Sequence, residues 1–192
     1  MSINSTMPVE EKLDPRVQRT RSMLSQAFSE VLQEKGFQSA SIQDITERAG
    51  VNRSTFYLHF ADKFALLEYN ITEMFHEALE KRSLSLCHFT PQNLHALIVT
   101  VAEFIVFSSS HCSHTESQFE ALVQHQVLRQ IAGLLNAWGE HQPFGAESEM
   151  VTTAASWAIY GLAQEWSKDK HHPSADDFAK KISPLILAIL WG

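Results

Sequence analysis

Residues 41–63 form a short segment that is rich in hydroxyl and guanidinium side chains. It contains Arg53, Ser54, Thr55 and Tyr57 within five positions. A guanidinium can bind the O6 and N7 atoms of guanine together, and hydroxyl groups bind bases or phosphates. If one short helix carries these side chains, the chemistry that their spacing favours is recognition of a duplex through its major groove.

Two short helices joined by a tight turn would position these side chains. Ser41 can cap the first helix, and Asp44, three residues later, can bind back to the cap in a capping box. Gly50 follows this helix where the chain must adopt a left-handed conformation to turn. Asn52 can cap the second helix, whose Phe56 faces the core. Two helices joined in this way form a helix-turn-helix, whose second helix enters the major groove.

A longer run of residues gives this segment a family resemblance. The run Thr55-Phe56-Tyr57-Leu58-His59-Phe60, followed by Asp62-Lys63 and Leu66-Leu67, resembles the TetR/AcrR family of bacterial transcriptional regulators. A preceding helix from Arg16 to Lys35, ended by Gly36-Phe37, extends the match to roughly residues 15–75. Beyond residue 80 the match is weaker, although residues 157–162 and Trp166 resemble the penultimate helix of some members.

The resemblance implies a role for individual residues of the match. Arg53, Ser54 and Tyr57 would contact base edges, where a bidentate arginine discriminates by ~1–3 kcal/mol. Phosphate contacts would position the helix without reading sequence. The residues implied for phosphate contact are Ser41, Thr55, His59, Lys63, Arg16 and Arg19. The residues themselves leave two alternatives open. His59 could be an aromatic side chain that packs inward and supports the turn, and Arg53 could be an ordinary solvated arginine.

Length and composition favour an all-α protein with a small DNA-binding domain and a larger helical domain. The 192 residues include 7 glycines and 6 prolines, and they contain no alternating β-branched runs separated by hairpin turns. Caps and apolar periodicity along the chain predict about nine helices, and the resemblance implies a TetR-like arrangement of them. The expected parts are a flexible arm at 1–13, a helix-turn-helix domain at 14–62, and a helical effector-binding and dimerisation domain at 63–192.

Caps and breaks in the apolar pattern give expectations for the second domain. A polar loop at 108–117 should follow helix five. Helices six and seven should lie within 118–140, with Gly133 as the expected break or kink between them. Helix nine should run over 174–191 and should be kinked by Pro184.

The net charge of −7 is distributed unevenly along the chain. Residues 1–60 contain seven basic and seven acidic groups, whereas residues 61–192 contain eight basic and fifteen acidic groups. An acidic body behind a neutral, locally basic DNA-binding domain would orient the molecule towards phosphate. The alternative is that the acidity serves solubility alone.

The expected compartment is the cytoplasm, on nucleoid DNA, with no membrane partner. No uninterrupted apolar stretch approaches the ~18 residues of a membrane span. The start of the chain is polar, carries Glu10 and Glu11, and lacks the pattern of a signal peptide. In a reducing compartment Cys87 and Cys112 are expected to be free thiols.

One helix-turn-helix reads too few base pairs for genomic specificity, so we expect a homodimer that binds a palindromic double-stranded DNA operator. The resemblance places the dimer interface on the last two helices. It also places an unidentified small-molecule effector between helices four to eight, where binding would shift the spacing of the two DNA-binding domains. The expected interface residues are Trp157, Tyr160, Leu162, Leu185, Ile189 and Trp191. The expected effector-pocket residues are Phe104, Phe107, Phe119, Trp138, Trp157 and Trp166. The alternative for both sets is packing within one chain.

Metal and enzyme chemistry have weaker support. His111, Cys112 and His114 offer metal-binding donors at short spacing, with Cys87-His88 as further donors, but the spacing matches no zinc signature. A solvated loop is therefore preferred, and no metal or other cofactor is expected. The sequence contains no nucleophile elbow, Gly-rich phosphate loop or zinc-protease helix, so we do not expect an enzyme.

The sequence therefore predicts a dimeric one-component regulator, most simply a repressor that a small ligand releases from DNA. Three alternatives stay open. The protein could activate transcription, it could sense metal through the loop that contains His111, or its helix-turn-helix could be a relic that serves only protein contacts.

Overall fold

The protein is described by a computed structural model that covers residues 14–82, 88–111, 117–144 and 148–192. Every regular element in these ranges is an α-helix, which confirms the expected all-α class. The chain divides into two compact units, Met1–Leu66 and Leu67–Gly192. The helices of the described ranges are α1 (Pro15–Ser39), α2 (Ile42–Ala49), α3 (Arg53–His59), α4 (Lys63–Glu80), α5 (Pro91–His111), α6 (Ser117–His141), α7 (Ser148–Lys168) and α8 (Ala175–Trp191).

In the first unit, α1 has defined signals at both ends. Asp14 caps the helix by accepting a hydrogen bond from the backbone N–H of Arg16 at 2.8 Å. Pro15 occupies the first helical position, where its missing N–H leaves nothing unpaired. Near the other end, Gly36 adopts φ 75°, which glycine reaches without a Cβ clash. The stripe that α1 buries in the core of this unit is Leu24, Ala27, Phe28 and Val31.

In the second unit, α5 is the most apolar helix. It packs against α7 and α8, while α6 packs against α7. A window of 18 residues in α5, Pro91–Ser108, has a mean hydropathy of 1.2 and is 56% buried. This combination is typical of a core helix in a globular domain. Thr90 caps α5 by accepting the backbone N–H of Asn93 at 3.0 Å, and Ser174 caps α8 in the same way.

The helix count differs from the expected nine because α6 is a single continuous helix. The expected break at Gly133 is therefore wrong. Ile131 and Leu135 on either side of the glycine are buried, so one apolar stripe continues past it at helical spacing. A Cβ at Gly133 would meet no atom within 4 Å. Packing along this stripe outweighs the weak preference of one glycine for a break, which is worth only ~1 kcal/mol.

The end of α5 also differs from the sequence prediction. The helix continues beyond Phe107 to His111, so the expected start of a polar loop at Ser108 is wrong. The hydroxyl of Ser108 donates a hydrogen bond to the carbonyl of Ile105 at 3.0 Å, which lets serine remain in a helix. The remainder of that loop, at 112–116, lies outside the described residues. Pro184 lies inside α8 as expected, and its kink stays a prediction.

Replacing Gly133 by alanine is expected to raise the free energy of unfolding by about 1 kcal/mol, because alanine restricts the unfolded chain and has the better helix propensity. Gly139→Ala is the matched control in the same helix, since a Cβ there would lie 3.1 Å from a ring atom of Phe144. Denaturant unfolding of both variants tests the expectation. Equal effects of the two substitutions would contradict it.

Candidate functional site

The turn between α2 and α3 has the geometry that the sequence predicts. The hydroxyl of Ser41 accepts the backbone N–H of Asp44 at 3.1 Å, and the Asp44 carboxylate accepts the backbone N–H of Ser41 at 3.0 Å, so the capping box is complete. Gly50 ends α2 at φ 68° and ψ 29°, the left-handed conformation in which a Cβ would be strained. The backbone N–H of Val51 then donates to the carbonyl of Thr46 at 3.0 Å. These bonds fix the direction in which α3 begins.

One side chain, Asn52, holds the start of α3. Its Oδ1 atom accepts the backbone N–H of Thr55 at 2.7 Å, the hydroxyl of Thr55 at 2.9 Å and the hydroxyl of Ser54 at 2.6 Å. On the opposite side of the helix, Phe56 is buried in the core of the first unit, and Phe60 just after the helix is buried as well. With one side anchored by these two rings, α3 has a fixed rotation about its axis.

That rotation exposes the side chains expected to read bases. Arg53 and Ser54 are exposed, and Tyr57 is 51% exposed. Leu58 is 83% exposed, which is unusual for a large apolar side chain and was not identified from the sequence. The exposure of Leu58 could have been predicted from the sequence, because it lies four residues after Ser54 and therefore on the same face of the helix. An exposed aliphatic group at this position is suited to contact with a thymine methyl.

Two other cations of the first unit are held by ion pairs within it. Lys35 lies 2.6 Å from a carboxylate oxygen of Asp44, and this ion pair, with hydrogen bonds from Ser41, holds the pKa of Asp44 far below its usual range. Hydrogen bonds to Glu34 and Glu30 raise the pKa of Arg48. These two cations are therefore committed to joining α1 to α2.

Three arginines of the first unit are left without such partners. Arg16, Arg19 and Arg53 are exposed, and none of them forms an ion pair with another residue in the described ranges. Two lie at the start of α1 and one at the start of α3. Guanidinium groups without an ion-pair partner can bind phosphate or guanine without first breaking an internal bond.

Lys63 lies in a different environment from these arginines. Its ammonium donates to the carbonyl oxygens of Phe37 at 2.8 Å, Gln38 at 3.1 Å and Ala40 at 3.0 Å. It also lies 4.7 Å from the centre of the Phe37 ring. An ammonium has three donors, and all three are used. In this structure Lys63 therefore ties the end of α1 to the start of α4, and phosphate binding would require an exchange of partners.

The hydroxyls expected to bind phosphate are also engaged. Ser41 donates to Asp44 at 2.7 Å, and Thr55 donates to Asn52. Each hydroxyl has one hydrogen, so donation to a phosphate oxygen would replace its bond to Asp44 or Asn52, while the backbone N–H bonds of the two caps would remain. His59 is half-buried, and burial together with the positive charge of Arg21 lowers its pKa. A neutral His59 at pH 7 fits the alternative interpretation, an aromatic side chain that supports the turn.

In the second unit, the residues expected to line an effector pocket occupy several environments. Phe104, Phe119 and Trp138 are buried, whereas Phe107 is 46% exposed. Trp166 stacks on Phe178 with ring centroids 5.1 Å apart, and its indole N–H donates to the carbonyl of Pro173 at 3.2 Å. It therefore fixes the connection between α7 and α8. A cavity between α4 and α5 has Phe104 and Phe107 in its wall.

The residues expected at a dimer interface differ in their exposure. Trp157 and Leu185 are 54% and 51% exposed, as an unpaired interface requires. Leu162 and Ile189 are half-buried, and burial raises the pKa of Tyr160. Trp191 belongs to an aromatic cluster within its own chain, with ring centroids 4.6 Å from Phe89 and 5.0 Å from Phe144.

The weaker metal candidates fall mostly beyond the described part of the chain. Cys112 and His114 lie outside the described residues, as does the side chain of His111. Within the described ranges, no group of three or more His, Cys, Asp or Glu side chains is arranged to hold a metal ion.

The first unit is similar in sequence to known regulators. Residues 26–69 match the family of bacterial regulatory proteins named tetR. YxbF of Bacillus subtilis (strain 168), an uncharacterized HTH-type transcriptional regulator, is 45% identical over 60 residues, which are 31% of this chain and only 16% of that relative. YvdT of the same organism, also an uncharacterized HTH-type transcriptional regulator, is 52% identical over 42 residues, which are 22% of each chain.

Solved structures extend the likeness over both units. A TetR-family regulator from Streptomyces coelicolor has a TM-score of 0.65 and 19% identity, covering 93% of this chain and 98% of its own. The dihydroxyacetone kinase operon activator DhaS has a TM-score of 0.55 and 20% identity, covering 89% and 96%. Both of these proteins are named as regulators. Residues 26–69, with their helix-turn-helix, therefore match the TetR family of bacterial regulatory proteins, and the chain shares the fold of a solved TetR-family regulator.

Proposed function

We propose that the protein is a DNA-binding transcriptional regulator that inserts α3 into the major groove. The observation that supports this most directly is the exposed face of α3. Arg53 stands there without an ion-pair partner in the described ranges, while Phe56 fixes the opposite face in the core. A guanidinium presented from the first turn of a rigid helix is the arrangement used for bidentate binding of guanine.

Tyr57 and Leu58 complete the reading face. The phenol of Tyr57 can donate to a base or a phosphate, and the methyl groups of Leu58 can pack on thymine. Arg16 and Arg19 at the start of α1 supply the uncommitted charge for backbone contacts. Ser41, Thr55, His59 and Lys63 then act mainly by holding the turn, through the caps and carbonyl contacts described above.

The protein acts as a homodimer through α7 and α8 in this proposal. Met150 and Trp157 lie seven residues apart on one face of α7 and are 66% and 54% exposed. Leu185 on the adjoining α8 is 51% exposed. Apolar side chains of this size on two packed helices fit a symmetric, self-complementary interface. Two copies would read a palindromic operator, which supplies the specificity that one short helix lacks.

Binding of a small molecule to the second unit lowers operator affinity in the proposed mechanism, so the protein represses until the ligand arrives. Such coupling requires that the ligand bind the free and the DNA-bound conformations with different affinity. Activation is the second candidate, because the DhaS structure that shares this fold is named an operon activator. Either role places the protein in the cytoplasm, where the chromosome lies.

Selection from a random duplex library by the purified full chain, at near-physiological salt, tests the proposal. We expect a palindromic motif that an Arg53→Ala, Tyr57→Ala variant fails to select. Arg129→Ala is a control because it removes an exposed arginine from the second unit, where the side chain pairs with Glu68.

The selection has three informative outcomes. Selection by the control but not by the double variant supports readout through α3, whereas loss in both would point to charge alone. Absence of any motif, together with loss of salt-dependent DNA affinity, would favour the alternative that the helix-turn-helix is a relic used for protein contacts.

A further inference from the structure

A cavity of about 440 Å³ lies between the C-terminal half of α4 and the second half of α5, wholly within the second unit. Its volume falls in the range of small-molecule sites. The residues of its wall are Met74, Glu77, Ala78, Lys81, Arg82, Thr100, Glu103, Phe104 and Phe107. The wall therefore joins an apolar surface to two acidic and two basic side chains.

Thr100 is the unusual residue of this wall. The residue is 2% exposed, and its hydroxyl has no hydrogen-bond partner among the described residues. A threonine in a helix commonly satisfies its hydroxyl by donating to a carbonyl of the preceding turn, and this one does not. Buried polar groups are nearly always paired, so an unpaired hydroxyl beside a cavity points to a hydrogen bond that a ligand would complete.

The charged residues of the wall form two ion pairs. Arg82 donates to the carbonyl of Ala78 at 2.8 Å and pairs with Glu103. Lys81 lies 3.9 Å from Glu77, one helical turn away. The wall consequently carries no net charge, so an ionised ligand would find no unbalanced charge of opposite sign there. This favours an uncharged ligand.

The apolar part of the wall sets the remaining requirement. Phe104 is packed against Phe75 in a tilted arrangement, with ring centroids 5.2 Å apart at an interplanar angle of 51°, so its position is fixed. Phe107 and Met74 are 46% and 37% exposed. Partly exposed aromatic and thioether side chains around a cavity are suited to flat, apolar molecules.

We propose that this cavity binds a small, uncharged, mostly apolar molecule that carries one hydroxyl or carbonyl oxygen for Thr100. Its regulatory consequence, a change in operator affinity, rests on the proposed function, but binding itself does not. Because α4 begins in the first unit and ends at this cavity, one helix is shared by the DNA-binding unit and the ligand.

Titration of the full chain with three naphthalene probes of similar size tests the chemical class. We expect 2-naphthol to bind more tightly than 2-methylnaphthalene, which lacks the oxygen, and more tightly than 2-naphthoate, which is charged. Thr100→Val removes the hydroxyl at nearly constant volume, and it should weaken 2-naphthol about tenfold without weakening 2-methylnaphthalene. Ala78→Phe should fill the cavity and abolish binding of both.

Thr100→Val also has a readout that does not depend on any ligand. Because it removes an unpaired buried hydroxyl, its unfolding midpoint should equal or exceed that of the parent chain. A lower midpoint would show that the hydroxyl already has a partner and would overturn the inference. Equal binding of 2-naphthol by the parent and both variants, or binding by none, would overturn it as well.

Operator affinity measured without ligand separates this inference from the proposed function. If the parent binds 2-naphthol through Thr100 but selects no operator, the cavity assignment stands and the regulator proposal fails. If the parent selects an operator but does not bind 2-naphthol, the regulator proposal stands and the cavity assignment fails. Where both hold, saturating 2-naphthol should change operator affinity by about 5- to 150-fold, and Thr100→Val should need about tenfold more probe for the same change.

Discussion

Replacing Arg53 by alanine is expected to weaken operator binding by ~1–3 kcal/mol in each half-site and to relax the preference at one base pair of each. The expectation follows from the exposure of this guanidinium on α3 and from the absence of an ion-pair partner in the described ranges. Its bonds to guanine are therefore gained without breaking internal ones. Competition binding against operators substituted at each position measures both the affinity and the preference.

Arg16→Ala is the matched comparison, because Arg16 is equally exposed but lies at the start of α1. A phosphate contact carries no sequence information, so this variant should lose affinity equally for all duplexes. Its binding should also depend less steeply on salt, by about one unit of slope for each phosphate that is no longer bound. If Arg53→Ala behaves like Arg16→Ala, Arg53 binds phosphate and does not read bases. If it has no effect, Arg53 is a solvated surface residue.

The features of the first unit that could be predicted from sequence are those determined by a few neighbouring residues. The capping box of Ser41 and Asp44, the left-handed Gly50 and the cap at Asn52 each need only three or four residues to be recognised. All three are present in the structure at the expected positions. The rotation of α3 about its axis could be predicted as well, because the aromatic side chain of Phe56 has to face the core.

Other features depended on residues distant in sequence. The three carbonyls that bind the ammonium of Lys63 belong to residues 23 to 26 positions earlier, and no local pattern indicates them. At Gly133 a local rule predicted a break, and the apolar stripe of the whole helix decided otherwise. Trp191 stays a predicted interface residue, but its packing on Phe89 and Phe144 within the chain could not be read from any local pattern.

A Trp157→Lys, Leu185→Lys variant is expected to be monomeric and to lose about 10²- to 10⁴-fold in operator affinity. In a symmetric dimer each substitution occurs twice, so four positive charges would meet at an apolar surface. Once the dimer is lost, the second half-site is no longer bound at the high effective concentration that linkage provides. Sedimentation velocity gives the oligomeric state, and titration of the selected operator gives the affinity.

Because Trp157 and Leu185 are about half exposed in one chain, the variant should keep its fold, and circular dichroism checks this. Ala121→Lys, Asn136→Lys is the matched control, since it adds the same charge at exposed positions of α6. The control should remain dimeric and should bind the operator at least as tightly as the parent. If both variants stay dimeric, the interface lies elsewhere on the second unit, and the exposed face of α7 and α8 needs another partner. If the control dissociates as well, charge rather than position governs assembly.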